Sequence, residues 1–275
     1  MIAIQSFTKN PLPTGFKACA LENKDDMLHR DYIYQLGVDL SFEAQLVAVR
    51  GLLAKTKEAD DAIAAEIDGL VVHMKSLADD DDAYQHAEWR WIDCLHQSNF
   101  HAAAHSMAAL GMLAPVLESV FHQYFRAICQ KLVESNQPPT GHPRWTDVSQ
   151  RSYDCHWCWE NNCFQKNLVS GVAQMADLLG LETYFPSDYK IVIEALFLYR
   201  NKMFHNGFEW PMKERRAFAG AIASSRFPAD WFSKSTSGDD PVAFYMTDVL
   251  IDKAVSTIEG VLDGIGYFTR IRLAQ

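Results

Sequence analysis

The stretch FPSDYKIVIEALFLYRNKMFHNGFEWP, residues 185–211, is the best-bounded helix in the sequence. Pro186 and Ser187 are start signals, and Asn206-Gly207 followed by Pro211 are stop signals. The helix between them is apolar, yet its end carries Arg200, Asn201 and His205. Each residue of an ideal helix turns by about 100°, so Asn201 and His205 share a face, with Arg200 one step around. Glu194, six positions before Arg200, lies about 240° around and off that stripe. Its expected role is to orient neighbours.

Two readings of this ending are open from the residues alone. An arginine and a histidine in a last turn meet the negative end of the helix dipole, and Asn206-Gly207 caps the chain, with no chemistry required. The same groups could instead face a phosphate. Arginine presents a fork of permanent charge, an amide can hold or orient, and an imidazole titrates near neutrality. Arg200, Lys202, Lys213, Arg215 and Arg216 stand against only Glu209 and Glu214 in this window, whereas the 275-residue chain carries a net charge of −10. An acidic chain does not coat nucleic acid nonspecifically, but a local basic site is compatible with it.

The string Arg200-Asn201-Lys202-Met203-Phe204-His205 resembles the signature of HEPN domains, in which an arginine, usually followed by a polar residue, precedes a histidine by four to six residues. Here four intervene. The resemblance covers this hexapeptide and its helix, with the helical order of residues 83–273 as the HEPN-like core; the N-terminal third has no counterpart. It implies an all-α bundle acting as a homodimer, and a metal-independent endoribonuclease that needs no cofactor. His205 would be the acid/base, Arg200 the phosphate clamp and Asn201 the group that holds the phosphate or orients His205. Lys202, Lys213, Arg215 and Arg216 would contact flanking RNA, and the products would carry 2′,3′-cyclic phosphate and 5′-hydroxyl ends. A toxin or defence effector restrained by an antitoxin or regulatory protein fits that reading. The alternative is a noncatalytic helical module that binds a protein partner or nucleotide. Apolar Phe197, Met203 and Phe204 around the motif suit a dimer face or simple burial equally.

Working outward, no sustained period runs through residues 1–38, which Pro11, Pro13 and Gly15 punctuate, so an irregular arm is expected before a helical domain over 39–275. Ser41 is a candidate N-cap for one long helix, or two parted near Lys57. Asp79–Asp82 read as a solvated junction or as caps for the next helix. From Ala83 to Ser135 apolar residues recur at helical spacing, and Gly111 and Pro115 should kink or divide that helix. Residues 135–150 are a loop, and residues 167–185 a shorter helix stopped by Gly180. STSGDDP, from Ser235, reads as a flexible loop before a closing amphipathic helix that begins at Val242. With no period-two strand series, an all-α bundle follows.

Cys155, Cys158 and Cys163 in CHWCWENNC, with His142 as a fourth ligand, form an incomplete zinc pattern, one CxxC without a second pair; reduced, partly buried thiols are the competing reading. His101 and His105 share a helical face without the HExxH glutamate. Trp89, Trp91, Trp145, Trp157 and Trp159 could stack bases or pack. Neither GxSxG nor GxxxxGK[ST] occurs, so neither a serine hydrolase of that class nor a P-loop ATPase is supported. Hydrophobic residues make up 48% and no uncharged apolar run reaches membrane-spanning length, so the expectation is a cytoplasmic chain with a sizeable core and no membrane partner.

Overall fold

The computed structural model describes residues 29–77, 81–146, 149–237 and 240–273, and among these the chain is mostly helical. Residues 42–76 form a single helix, α1 (Phe42–Ser76), whose N-cap Ser41 accepts from the Ala44 N–H at 3.4 Å. Asp79 and Asp80 lie outside the described residues, while Asp81 and Asp82 occupy the first turn of α2 (Asp81–Glu134), where negative charge suits the helix dipole. Gly111 and Pro115 do not divide this helix, which runs unbroken through both. A proline inside a helix costs about 3 kcal/mol through a lost hydrogen bond and a steric clash. Leu110, Leu113, Ala114 and Leu117, all fully buried around it, offset that cost.

Helix α2 is the spine of the core. Its buried face, including Phe121, Phe125 and Ile128, joins one apolar cluster with residues of α1, α3 (Leu168–Leu178), α4 (Tyr189–Asn206) and α6 (Asp248–Arg272). An 18-residue window of α2 has a mean hydropathy of 1.3, enough by length and composition to cross a membrane, and 44% of it is buried inside the protein.

The expected all-α class holds as a mostly helical chain, to which two short antiparallel hairpins are added. β1 (Trp157–Glu160) pairs with β2 (Cys163–Lys166) through Asn161 and Asn162, both at positive φ of 52° and 62°. Two left-handed asparagines form the mirror-image turn that matches strand twist. β3 (Phe232–Ser237) pairs with β4 (Asp240–Met246), so residues 235–237 and 240–241 of the expected flexible loop are strand while 238 and 239 lie outside the described residues, and the closing helix starts six residues later than Val242. Pro241 sits beside the register shift between Ser235 and Thr236, an irregularity where its missing N–H is tolerated.

Residues 1–28 of the expected arm are outside the described residues, but its last part is ordered as a 3-10 helix, His29–Leu36, docked on α6. Gly266 permits that contact, since a Cβ there would stand 2.3 Å from the His29 carbonyl oxygen. Arg30 fastens it through Asp263 at 2.7 Å and Glu43 at 3.0 Å.

Candidate functional site

The end of α4 is held by an aromatic box. Fully buried Tyr199 donates its hydroxyl to the Phe244 carbonyl at 2.8 Å, and its ring meets Trp210, Phe218 and Phe232. The Trp210 indole N–H donates to the Gly207 carbonyl at 2.9 Å, and Gly207, at φ 69°, caps the helix with its own N–H on the Met203 carbonyl. One residue beyond Tyr199 the chain turns outward. Arg200 is half-exposed, Asn201 and His205 are exposed, and Met203 is buried between them. Met203 and Phe197 therefore belong to the chain's own core, whereas Phe204 is 56% exposed.

Arg200 faces α2. Its guanidinium lies 3.7 Å from a Glu118 oxygen and 5.4 Å from the centre of the Phe197 ring. The other Glu118 oxygen is 2.7 Å from His156 Nε2, and His156 Nδ1 is 2.6 Å from Asp154. Asp154 also accepts from the His156 backbone N–H at 3.0 Å. His122, one turn after Glu118 on α2, brings its Nδ1 to 3.5 Å from the same Asp154 oxygen, without hydrogen-bond geometry. Burial alone would lower the His156 imidazole, but its bonds to Asp154 and Glu118 outweigh that and raise it above the ordinary histidine value. Burial would raise Asp154, and the His156 bonds and the His156 and His122 charges reverse the sign and hold it below the usual carboxylate range.

The segment carrying Asp154, Cys155 and His156 is fixed from two sides. Arg144 is fully buried and donates to the carbonyls of Arg151, Ser152, Asp154 and Trp157 and to Gln174 Oε1, at 2.6–3.3 Å. Burial lowers its guanidinium to about 10, which leaves it charged at neutral pH. On the other side Gly171 of α3 lies against the segment, where a Cβ would meet the Cys155 carbonyl oxygen at 2.1 Å and that of Trp157 at 2.8 Å. Neither obstacle is a flexible side chain. Gly171→Ala is therefore expected to lower stability by about 1–3 kcal/mol, read as a shifted urea midpoint; an unchanged midpoint would show that the backbone yields freely.

The other candidates are placed as follows. Lys202 is ion-paired with Glu214, and Arg216 lies 3.4 Å from Asp240. Arg215 donates to the carbonyls of Trp210 and Pro241, tying α5 (Met212–Ala221) to the second hairpin, while Lys213 is exposed. Glu194 is half-buried on α4. His142 accepts from the Arg144 backbone N–H as the cap of a short 3-10 turn, Pro143–Trp145. Cys158 points its thiol at the Gln165 carbonyl and Cys163 is exposed on β2. Neither cysteine nor His142 joins the one group of three or more ligand-type residues found among the described residues, which is His122, Asp154, Cys155 and His156. His105 is buried 3.7 Å from Asp60, while His101 is exposed. The tryptophans do not form one surface: Trp89 and Trp91 lie on α2, whereas Trp145 stacks on Tyr153 and Trp159 meets Phe164 edge-on.

Sequence reasoning missed Glu118, His122, Asp154 and Arg144. The available signal was the four-residue spacing of Glu118 and His122 on one helical face. Comparison of the chain with family models, with curated proteins and with solved structures returns no match.

Proposed function

We propose that the chain is a metal-independent endoribonuclease of the HEPN type, working in the cytoplasm on RNA as a homodimer. The observation that carries this reading is the end of α4, where Arg200 is half-exposed and held at Glu118 while Asn201 and His205 stand exposed within the next turn and a half. RNA contains its own nucleophile, so the protein need only remove the 2′-hydroxyl proton, stabilise the phosphorane and protonate the leaving 5′-oxygen. His205 performs the proton transfers, Arg200 clamps the phosphate oxygens and Asn201 holds the phosphate or orients His205. One histidine cannot easily serve both sides of an in-line displacement, and a symmetry-related copy supplies the second. Exposed Phe204 beside the motif suits such a face. Lys213 is the most accessible contact for flanking phosphates, and Lys202 and Arg216 join it by exchanging their carboxylate partners for RNA. An antitoxin or regulatory protein restrains the activity.

A second reading is favoured by one observation. The Arg200–Glu118 pair lies within one protomer, as expected if the arginine serves structure in a noncatalytic module that binds a protein partner or nucleotide. The two are separated by incubating total RNA with the purified chain and with its His205→Ala variant, without added divalent metal, and analysing the fragment ends. Cleavage by the parent alone, leaving 2′,3′-cyclic phosphate and 5′-hydroxyl ends, is the expected result. Equal behaviour of both proteins across varied RNAs and pH, each folded and dimeric, would leave the binding module.

A further inference from the structure

The side chains of His122, Asp154, Cys155 and His156 offer one sulfur, two imidazole nitrogens and a carboxylate oxygen that all lie within 4.8 Å of one another. Three arrangements could explain such a group: a hydrogen-bonded network, a cysteine nucleophile with its base, or a metal centre. A closed network leaves no buried polar atom idle, yet His122 Nδ1 is buried without a hydrogen-bond partner. A nucleophile must be reached by substrate as a thiolate. Cys155 is fully buried, out of a substrate's reach.

The metal arrangement accounts for the remaining features. Zinc bonds of about 2.0–2.3 Å put tetrahedral donors about 3.3–3.8 Å apart. The 3.5 Å between His122 Nδ1 and Asp154 Oδ1, which is not a hydrogen bond, falls in that range. His156 would ligate through Nδ1, opening its 2.6 Å contact with Asp154 by less than an ångström, while its Nε2 sits 2.7 Å from Glu118. A metal-bound histidine that donates its other N–H to a carboxylate is the usual way such a ring is oriented and made more basic. The buried Arg144 guanidinium, bonded among the described residues to carbonyls and an amide oxygen, supplies positive charge near Cys155. An ion has a route in, because a cavity of about 340 Å³ reaches His122 and Asp154 beside Arg126 and Tyr153.

We propose that His122, Asp154, Cys155 and His156 form a structural zinc site that ties α2 to the segment before the first hairpin. The ligand set selects the metal: one thiolate and two imidazoles suit zinc, and magnesium or calcium would call for oxygen throughout. Four protein ligands close the coordination sphere, which marks a structural and not a catalytic centre. Binding releases the Cys155 thiol proton and the proton on His156 Nδ1 to solvent. The ion also reaches the motif helix indirectly, since the Glu118 that orients His156 holds Arg200 with its other oxygen. The site is independent of whether Arg200 acts on RNA.

The test is titration of the reduced, chelator-stripped full chain with Co²⁺ and then Zn²⁺, with no RNA present. One equivalent of Co²⁺ should give intense tetrahedral visible bands and a near-ultraviolet thiolate-to-cobalt band, both bleached by one equivalent of Zn²⁺. The thiolate band should vanish in Cys155→Ser and persist in Cys158→Ser and Cys163→Ser. Glu118→Gln should weaken Zn²⁺ binding by about 10- to 100-fold. His122→Ala, at a half-exposed position, should weaken it at least tenfold with its far-ultraviolet dichroism unchanged, so the test stands even where Cys155→Ser fails to fold. Absence of a thiolate band in the folded parent, or its loss in Cys158→Ser or Cys163→Ser with retention in His122→Ala, would overturn the site.

Discussion

Replacing Arg144 by methionine is expected to cost about 3–5 kcal/mol, a large part of the roughly 5–15 kcal/mol that holds a typical domain together. Methionine approximates the length and volume of the aliphatic stem, so the loss is one of hydrogen bonds and charge. Four backbone carbonyls, from residues 151, 152, 154 and 157, and the Gln174 amide oxygen would lose a donor at once. Each buried acceptor left unpaired costs about 1–3 kcal/mol, and water entering the gap would recover part of it. A fall in Tm of about 6–20 °C is the expected reading. Arg144→Lys keeps the charge but offers three donors in place of five, so its Tm should lie between the two. A Tm for Arg144→Met within about 2 °C of the parent would show that the loop supports itself without this residue.

The burial of Arg144 was not legible because its partners are loop carbonyls, which carry no side-chain signal. An arginine next to a proline in a polar loop reads as exposed. The bounds of α4 were legible for the opposite reason, since every stop signal is local: Gly207 takes the left-handed φ and Pro211 ends the run. That Pro115 would leave the helix undivided was not legible because its local penalty is offset by buried leucines on either side. The first hairpin was missed because four-residue strands are too short for alternation to stand out. The second was missed because VAFYM is an apolar run that strand and helix share.

The same divide separates the parts of the candidate site. Arg200, Asn201 and His205 lie within six residues, so helical geometry alone groups them. Glu118 reaches Arg200 from α2, and His156 reaches Glu118 with Asp154 behind it from a loop some forty positions along; only the packing of α2 against α4 and of the loop on α3 brings them together. The cysteines show how spacing can mislead. CxxC suggests convergence, yet Cys158 is in β1 opposite Gln165 and Cys163 is opposite Glu160, so the strand geometry parts them from Cys155. The ligand-type partners that Cys155 does meet include His122, which spacing could not have supplied.

Trp210→Ala is expected to be comparably severe and to act on the motif itself. Trp210 is 2% exposed, stacks on Phe244 with ring centres 5.6 Å apart and meets the edge of Phe218 at 5.1 Å. Truncating so large a buried ring costs about 3–5 kcal/mol through lost transfer energy and the cavity left behind. Two further losses fall at the helix end: the indole bond to the Gly207 carbonyl, and a well-placed Trp210 carbonyl for Arg215. The last turn of α4, including His205, should therefore exchange its amide protons faster, whereas α1, none of whose rings meets Trp210 among the described residues, should lose protection only as far as global stability falls. Trp210→Phe retains most of the apolar volume and removes the indole donor, so it should separate the two effects: a smaller stability loss with faster exchange confined to residues 203–207. Uniform loss of protection in both variants would mean that the aromatic box stabilises the whole bundle without specifically ordering the turn that presents Arg200, Asn201 and His205.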